Sequence, residues 1–420
     1  MYKFVIHGGK NLRGKIKVSG AKNASLALMP ATLLASGIYT IENTPALRDV
    51  STMSELMETL GAIVENRGTV QTIDTRGVRN FEAPYELVKK MRASIYVLGP
   101  LLSRFGYAKV SMPGGCAWGP RPVNLHLEGV ERLGAEVTLD KGYIIAKAKR
   151  LHGARINFDI SSVGATGNVM MAAVLAKGTT VIENAALEPE IVALGEFLIK
   201  MGAHIDGLGT HTIIIEGVDE LYPTNFVNIP DRIEAGTFLI ASAITGGDIT
   251  VENCRPEHLS ALLSKLDAAG AIMEVNSDSV RIKGPNKVNP VDISTAPFPG
   301  FPTDLQAQWI SLMSISTGSA VITETIYFDR FKHVPELIRL GANVEVKENV
   351  AVVKGVPRLT GAKVMSTDLR ASASLVLAGL VAEGTTEVLR VYHIDRGYEK
   401  IEGKLRILGA DIERVQSEEF

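Results

Sequence analysis

The sequence predicts an α/β protein of two domains, built from six copies of one unit of about 70 residues, three copies per domain around buried helices. Three observations carry that expectation. A signature of LGA followed by a short strand recurs as LGAIVE at Gly61, LGAEV at Gly134, MGAHI at Gly202, AGAIME at Gly270, LGANVEV at Gly341 and LGADIE at Gly409. A turn glycine followed by an alternating strand falls between these, as SGIYTIENTP from Ser36, FGYAKVSMPG from Phe105, KGTTVIENAA from Lys177, GGDITVENCR from Gly246, TGSAVITETI from Thr317 and EGTTEVLRVY from Glu383. Ahead of each strand lies an uncharged apolar segment: ASLALMPATLLAS, ASIYVLGPLLS, GNVMMAAVLA, AGTFLIASAITG, LQAQWISLMSIST and ASASLVLAGLVA.

A helix that is apolar on every side belongs in a core, so these six segments are predicted as inner helices. After each strand comes a charged segment with apolar residues at three- and four-residue spacing, such as DVSTMSELMETLGA or RPEHLSALLSKLDAAGA. That pattern makes an outer, half-exposed helix. The repeating unit is therefore strand, inner helix, strand, outer helix, strand and a further strand. The chain divides near residues 225–233, and the strand KIKVSG (15–20) could complete either half.

With 46% hydrophobic and 21% charged residues, the chain can both bury a core and stay in solution. Its 44 Lys+Arg against 46 Asp+Glu give a net charge of −2, which removes any general attraction to nucleic acid or to an anionic membrane. The start MYKFVIHGGKNLRG lacks the apolar h-region of a secretion signal. The apolar runs are interrupted by glycine and fall short of the ~20 residues that span a bilayer. Two cysteines in 420 residues fit a reducing compartment without disulfides, and the expected location is the cytoplasm.

The repeat also lines up the starts of the inner helices. Lys22 and Asn23 open the first, Arg92 the second, Thr166 the third, Asp304 the fifth and Arg370 the sixth, with RAS at both 92–94 and 370–372. Cations at helix N-termini oppose the helix dipole, and three of them at matched positions point to a polyanionic ligand. Cys116 sits in SMPGGCAWGPRP, where Gly and Pro replace the ordinary strand-to-helix turn and Arg121 follows five positions later. These neighbours favour an accessible thiol of lowered pKa over a buried one. Cys254, in the place held by Thr44 and Ala185 in other units, is read as structural.

Other motifs fail. GKNLRGKI (9–16) resembles a phosphate-binding loop, but Ile16 stands where Ser or Thr would bind the metal, and a strand follows. The eight histidines show no metal-ligand spacing, and His126 and His393 are read as local hydrogen-bonding residues. Asp304, Arg330 and Arg396 join Lys22, Arg92, Arg121 and Arg370 as a cationic set with one carboxylate and one thiol. Such a set suits group transfer on phosphates and carboxylates.

Read together, SGAKNA, MRAS, PGGCAWGPRPV, SVGAT, FPTDLQAQ, DLRASASLVLAG and YHIDRGYE closely resemble the UDP-N-acetylglucosamine 1-carboxyvinyltransferases of the enolpyruvyl transferase family, from about Gly9 to Gly409. The resemblance implies an inverse α/β barrel, with one domain over 22–229, a second over 1–21 and 230–420, and an active site in the cleft between them. It implies transfer of the enolpyruvyl group of phosphoenolpyruvate to the 3′-hydroxyl of UDP-N-acetylglucosamine with release of phosphate, the first committed step of peptidoglycan synthesis. No metal or organic cofactor is needed, and a monomer acting on small molecules is consistent with it.

By position, Cys116 resembles the family's general acid, which also forms an adduct with phosphoenolpyruvate, and Asp304 the acceptor of the sugar hydroxyl's proton. Lys22, Arg121, Arg370 and Arg396 would hold phosphoenolpyruvate with Arg330 nearby, and Asn23 and Arg92 would contact substrate. Arg121, Pro122, Val123, Asn124, Leu125, Ser162, Val163 and Ile326 would line the UDP-sugar site. Asn124 departs from the family's Asp, and Trp118 from a smaller aliphatic residue; Asn124 keeps an acceptor and adds a donor.

Two rivals remain at this level. A transferase acting on shikimate 3-phosphate shares the fold and the cations, but the PGGC loop and RPVNL favour the UDP-sugar. A ring-shaped clamp would need Lys and Arg along the helices lining its channel, and the inner segments are almost uncharged.

Overall fold

The computed structural model describes residues 2–113 and 123–417. The chain forms two compact units, Gly20–Ile229 and Met1–Ser19 with Pro230–Phe420, each with its own hydrophobic core. Six four-stranded sheets are present among the described residues.

The third repeat shows the plan. Arg155–Asn157 leads into the inner helix Val163–Ala173 and returns as Thr179–Glu183, parallel to the first strand (Ile156 opposite Ile182). The outer helix Pro189–Lys200 follows, then the strands His204–Asp206 and Thr212–Glu216, antiparallel to each other and to Thr179–Glu183. Thr212–Glu216 alternates exposed and buried residues, so one face of the sheet packs inward there.

The recurrent LGA has a local cause. All six glycines take positive φ, from 90° at Gly341 to 106° at Gly202, which closes the outer helix with a left-handed residue. The alanine that follows donates its N–H to the carbonyl five residues back in every repeat, from Ala62 to Met57 at 3.0 Å through Ala410 to Leu405 at 3.0 Å. This is the six-to-one bond of a Schellman cap.

Two places break the sequential plan. Arg13–Lys17, which precedes the inner helix Lys22–Ala31, pairs in parallel with Asp248–Glu252 of the fourth repeat, Ile16 opposite Val251. Asn225–Val227, which precedes the inner helix Arg232–Thr245, pairs instead with Ile38–Glu42 of the first, Phe226 opposite Ile41. Strand Tyr2–His7, which the sequence reading passed over, lies between Thr385–Leu389 and Asp411–Gln416 and supplies the last strand of the sixth sheet.

The inner helices are apolar along their length and carry their charges in the first turn, at Lys22, Arg92, Arg232, Glu234, Asp304 and Arg370, with Arg104 near a C-terminus as the exception. The second and fifth begin as 3₁₀ turns, Arg92–Val97 and Thr303–Leu305, before continuing as Leu98–Phe105 and Gln306–Met313. The third starts at Val163, not at Thr166 as the repeat alignment suggested, because the Ser162 hydroxyl accepts the Ala165 N–H at 3.3 Å and caps the helix there. No helix among the described residues is long and apolar enough to cross a membrane.

Candidate functional site

In the unit that contains residues 230–417, the N-terminal ends of inner helices gather charge. Asp304 Oδ1 accepts from Arg330 Nη2 at 2.8 Å, and Asp304 Oδ2 accepts from Arg370 Nη2 at 3.1 Å. The two arginine side chains are 8% and 5% exposed and the carboxylate 25%, so the carboxylate remains the reachable member. Asp304 stands in the 3₁₀ turn that begins the fifth inner helix, and Arg370 in the first turn of the sixth.

A cation buried at a helix N-terminus is unfavourable alone. Here Asp368 caps that helix, its Oδ1 accepting the Arg370 and Ala371 N–H groups at 2.9 and 3.1 Å. The Arg370 guanidinium lies 5.4 Å from the Tyr398 ring centre. Burial works against its charge, but Asp304, Tyr398 and Asp231 outweigh burial and hold Arg370 above its ordinary range. Tyr398 is fixed in turn by Thr237 Oγ1 at 2.8 Å and by Gln308 Nε2 at 3.1 Å. His333 is buried beside Arg330 and Asp368; burial first, then the Arg330 charge, push its imidazole down to about 4 against the pull of Asp368.

Arg396 ends the 3₁₀ segment Val391–Arg396, which packs on the sixth inner helix. Its neighbour Asp395 receives Arg414 Nη1 and Nη2 at 3.0 and 2.6 Å. Ile326 is half-buried, and its N–H donates to Glu324 Oε1 at 2.8 Å.

In the unit Gly20–Ile229, Lys22 Nζ lies 2.9 Å from Asp49 Oδ2, with side chains 11% and 4% exposed. Asn23 follows, half-buried at the same helix start, and the helix packs on the segment Arg92–Val97. Arg92 neighbours His126, which burial first and the Arg92 charge second depress to about 4. His126 Nδ1 lies 3.0 Å from Asn168 Nδ2, and a Cβ at Gly164 would meet the His126 ring at 3.0 Å. Arg92, the helix Asn124–Arg132 and the Ser162–Gly164 helix start therefore converge at His126. Val123 and Leu125 are half-buried there, and Asn124 is exposed.

Cys116, Trp118, Arg121 and Pro122 lie outside the described residues. Cys254 is buried, its Sγ pointing to the Val251 carbonyl at 3.6 Å, and burial pushes its thiol up to about 11. Thr44, its counterpart, makes the equivalent bond to Ile41 at 3.1 Å. No group of three His, Cys, Asp or Glu side chains among the described residues is placed to hold a metal ion.

Sequence reasoning missed Asp49, Asp231, Asp368, Glu324 and Tyr398. Asp231 and Asp368 could have been found, since each precedes an inner apolar helix at an N-cap position. Asp49 and Tyr398 lie in an outer helix and a loop, where no local pattern marks them.

The model of the family described as EPSP synthase (3-phosphoshikimate 1-carboxyvinyltransferase) matches residues 6–405. The UDP-N-acetylglucosamine 1-carboxyvinyltransferase of Geotalea daltonii is 59% identical over 416 residues, covering 99% of this chain and 100% of that protein. The protein of the same name from Chloroherpeton thalassium is 59% identical over 423 residues, 100% of this chain and 99% of the other. Among solved structures, the enolpyruvyl transferase NikO from Streptomyces tendae superposes with a TM-score of 0.89 at 27% identity, covering 99% of both chains. EPSP synthase from Acinetobacter baumannii, at 19% identity and TM-score 0.76 over 99% of this chain and 100% of that one, shares the two-unit α/β fold. With a match over nearly its whole length and relatives at such identity, the chain belongs to the enolpyruvyl transferase family described as EPSP synthase (3-phosphoshikimate 1-carboxyvinyltransferase).

Proposed function

We propose that this protein transfers the enolpyruvyl group of phosphoenolpyruvate to the 3′-hydroxyl of UDP-N-acetylglucosamine and releases phosphate, serving peptidoglycan synthesis in the cytoplasm. The observation that carries the reading at the level of chemistry is Asp304, a reachable carboxylate held between two buried guanidiniums. The full-length identity to enzymes named for this transfer supports the choice of acceptor.

Phosphoenolpyruvate carries a phosphate and a carboxylate, and both suit planar guanidiniums. Lys22, Arg121, Arg370 and Arg396 are the cations assigned to these groups. Once an anionic group of the substrate engages Arg370, that arginine has a second acceptor and Asp304 Oδ2 is released from its pairing. Asp304 is then able to take the proton of the sugar hydroxyl. Cys116 protonates C3 of phosphoenolpyruvate, C2 becomes electrophilic, and the hydroxyl oxygen bonds to C2. Loss of a proton from C3 and departure of phosphate from the tetrahedral intermediate then form the enol ether. Asn23 and Arg92 contact substrate, and Val123, Asn124, Leu125, Ser162, Val163 and Ile326 line the UDP-sugar site together with Arg121 and Pro122. Arg330 steadies Asp304.

The test is phosphate release from phosphoenolpyruvate with UDP-N-acetylglucosamine, with shikimate 3-phosphate, and with no acceptor. Release that needs UDP-N-acetylglucosamine and is lost in Cys116→Ala supports the reading. Release that needs shikimate 3-phosphate overturns the acceptor, and no release from folded protein overturns the reaction.

A further inference from the structure

The residue just after the second strand can be compared across the six repeats: it is Asn in three of them, Met112 in the second, Glu324 in the fifth and Arg390 in the sixth. In the first, third and fourth repeats that residue is Asn43, Asn184 or Asn253, each with φ between 53° and 56°. Each Asn donates its Nδ2 to the carbonyl of the residue just after the neighbouring first strand: Asn228 at 2.9 Å, Phe158 at 2.8 Å and Val18 at 2.8 Å. The side chain locks two parallel strands together next to the start of an inner helix.

The fifth repeat has Glu324 in this place, and a carboxylate cannot donate that bond. The carbonyl of Thr295 accepts from Thr325 Oγ1 at 2.5 Å instead, and the contact to Glu324 has the opposite polarity. Thr295, the residue just after the first strand, turns its hydroxyl to Glu324 Oε1 at 2.8 Å. The same oxygen accepts the N–H groups of Ile326 and Tyr327 at 2.8 and 3.0 Å. Glu324 is fully buried, and its backbone is clamped by Asn349, whose carbonyl accepts the Glu324 N–H at 2.8 Å and whose Nδ2 donates to the Glu324 carbonyl at 3.0 Å.

This arrangement leaves Glu324 Oε2 available, and it accepts the Thr303 hydroxyl at 2.8 Å. Thr303 Oγ1 in turn accepts from Arg330 Nη1 at 2.8 Å, while Arg330 Nη2 holds Asp304 Oδ1 at 2.8 Å. A buried carboxylate is thus connected through one hydroxyl and one guanidinium to the reachable carboxylate, and through backbone amides to the segment bearing Ile326. A structural lock would need only the Thr295 contact. The additional three donors are all directed at site residues or their immediate neighbours.

We propose that Glu324 is a positioning residue, which fixes the orientation of the Asp304 carboxylate through Thr303 and Arg330 and sets the Ile326 segment against the UDP-sugar; this rests on the transfer reaction proposed above. Thr303 acts as the relay, because its hydroxyl both donates to Glu324 and accepts from Arg330. Misplacement of a reacting group by about 1 Å is enough to cost on the order of 100-fold in rate.

The experiment measures kcat and both KM values for the wild type, Thr303→Ser, Thr303→Val, Glu324→Gln and the double variant Thr303→Val/Glu324→Gln, with the thermal midpoint of each as a fold control. Thr303→Ser keeps the hydroxyl and is expected within about threefold of wild type, whereas Thr303→Val loses roughly 10- to 100-fold in kcat without a matching loss of fold. Glu324→Gln keeps an acceptor for Ile326 and Tyr327 but turns the group facing Thr303 into a donor, and is expected to lower kcat similarly. The double variant is expected to be no worse than the poorer single one, since both break one chain. A folded Thr303→Val with wild-type kcat overturns the proposal, as do additive losses in the double variant. A wild type that releases no phosphate in the presence of UDP-N-acetylglucosamine overturns the reaction itself, a result distinct from either.

Discussion

Arg370 and Asp304 meet at 3.1 Å across two inner helices, and the second oxygen of the same carboxylate meets Arg330 at 2.8 Å. A carboxylate shared by two guanidiniums is a poor base until one of them is drawn away, and an anionic substrate is suited to draw it. Asp304→Asn keeps the size and one acceptor while removing the basic oxygen. The expected loss in kcat is on the order of 10²- to 10⁴-fold with an unchanged circular dichroism spectrum. Activity close to wild type in this variant would remove Asp304 from the chemistry.

Lys22 and Asp49 form a pair buried on both sides, and breaking such a pair costs more than the pair is worth. Asp49→Asn is expected to lower unfolding free energy by about 3 kcal/mol in urea titrations. Lys22→Met with Asp49→Leu is expected to recover most of that stability and none of the activity. Full stability in Asp49→Asn would mean the pair carries no structural role.

His126 and His333 are both held neutral by burial, with folded pKa values of about 4 against an unfolded value near 6.5. A depressed histidine pKa contributes nothing unfavourable above pH 6.5. As pH falls from 6.5 towards 4 the unfolded state takes up the proton first, and each histidine subtracts up to about 3 kcal/mol. Denaturant midpoints measured at pH 7.5, 6 and 5 are expected to decline, and His333→Gln is expected to flatten the decline. An unchanged slope in that variant would show that His333 titrates normally.

The two cysteines should separate in reactivity. Burial raises Cys254 to about 11, so it carries almost no thiolate at neutral pH. Native protein is expected to react with one equivalent of a disulfide reagent, native Cys116→Ala with none, and the unfolded variant with one. A native Cys116→Ala protein that still reacts promptly would contradict the buried geometry of Cys254.

Phe4 is fully buried in the strand Tyr2–His7, opposite Val388 on one side and Arg414 on the other. Phe4→Ala is expected to cost about 3–5 kcal/mol, and removal of the strand to leave the sixth sheet split. A truncated protein lacking residues 2–7 that unfolds with the wild-type midpoint would contradict the pairing.

The recurrence of LGA was legible because its cause is local: a helix end needs a left-handed residue and a small one after it, wherever the helix sits. The inner helices were legible for a similar reason, since the absence of charge along a segment states its environment without naming its neighbours. Lys22, Arg92, Asp304 and Arg370 stood out because they interrupt that absence at matched positions. The start of the third helix was misplaced by three residues, because Ser162 offers a cap that the alignment of repeats could not rank above Thr166.

The sequence by itself determined the repeating unit, the burial of its helices and the residue types gathered at their N-termini, because each depends on interactions within a few turns of chain. Only the tertiary structure decided which strand pairs with which, and hence that Arg13–Lys17 and Asn225–Val227 exchange repeats while Tyr2–His7 completes the last sheet. The first strands are two to five residues long, too short to carry a pairing signal of their own, so pairing is selected by the packing of whole units. The same holds for the partners of charge: Asp49 beside Lys22, Arg330 and Arg370 on Asp304, and Glu324 behind them are contacts between distant segments, and their energies exist only once burial has lowered the dielectric around them.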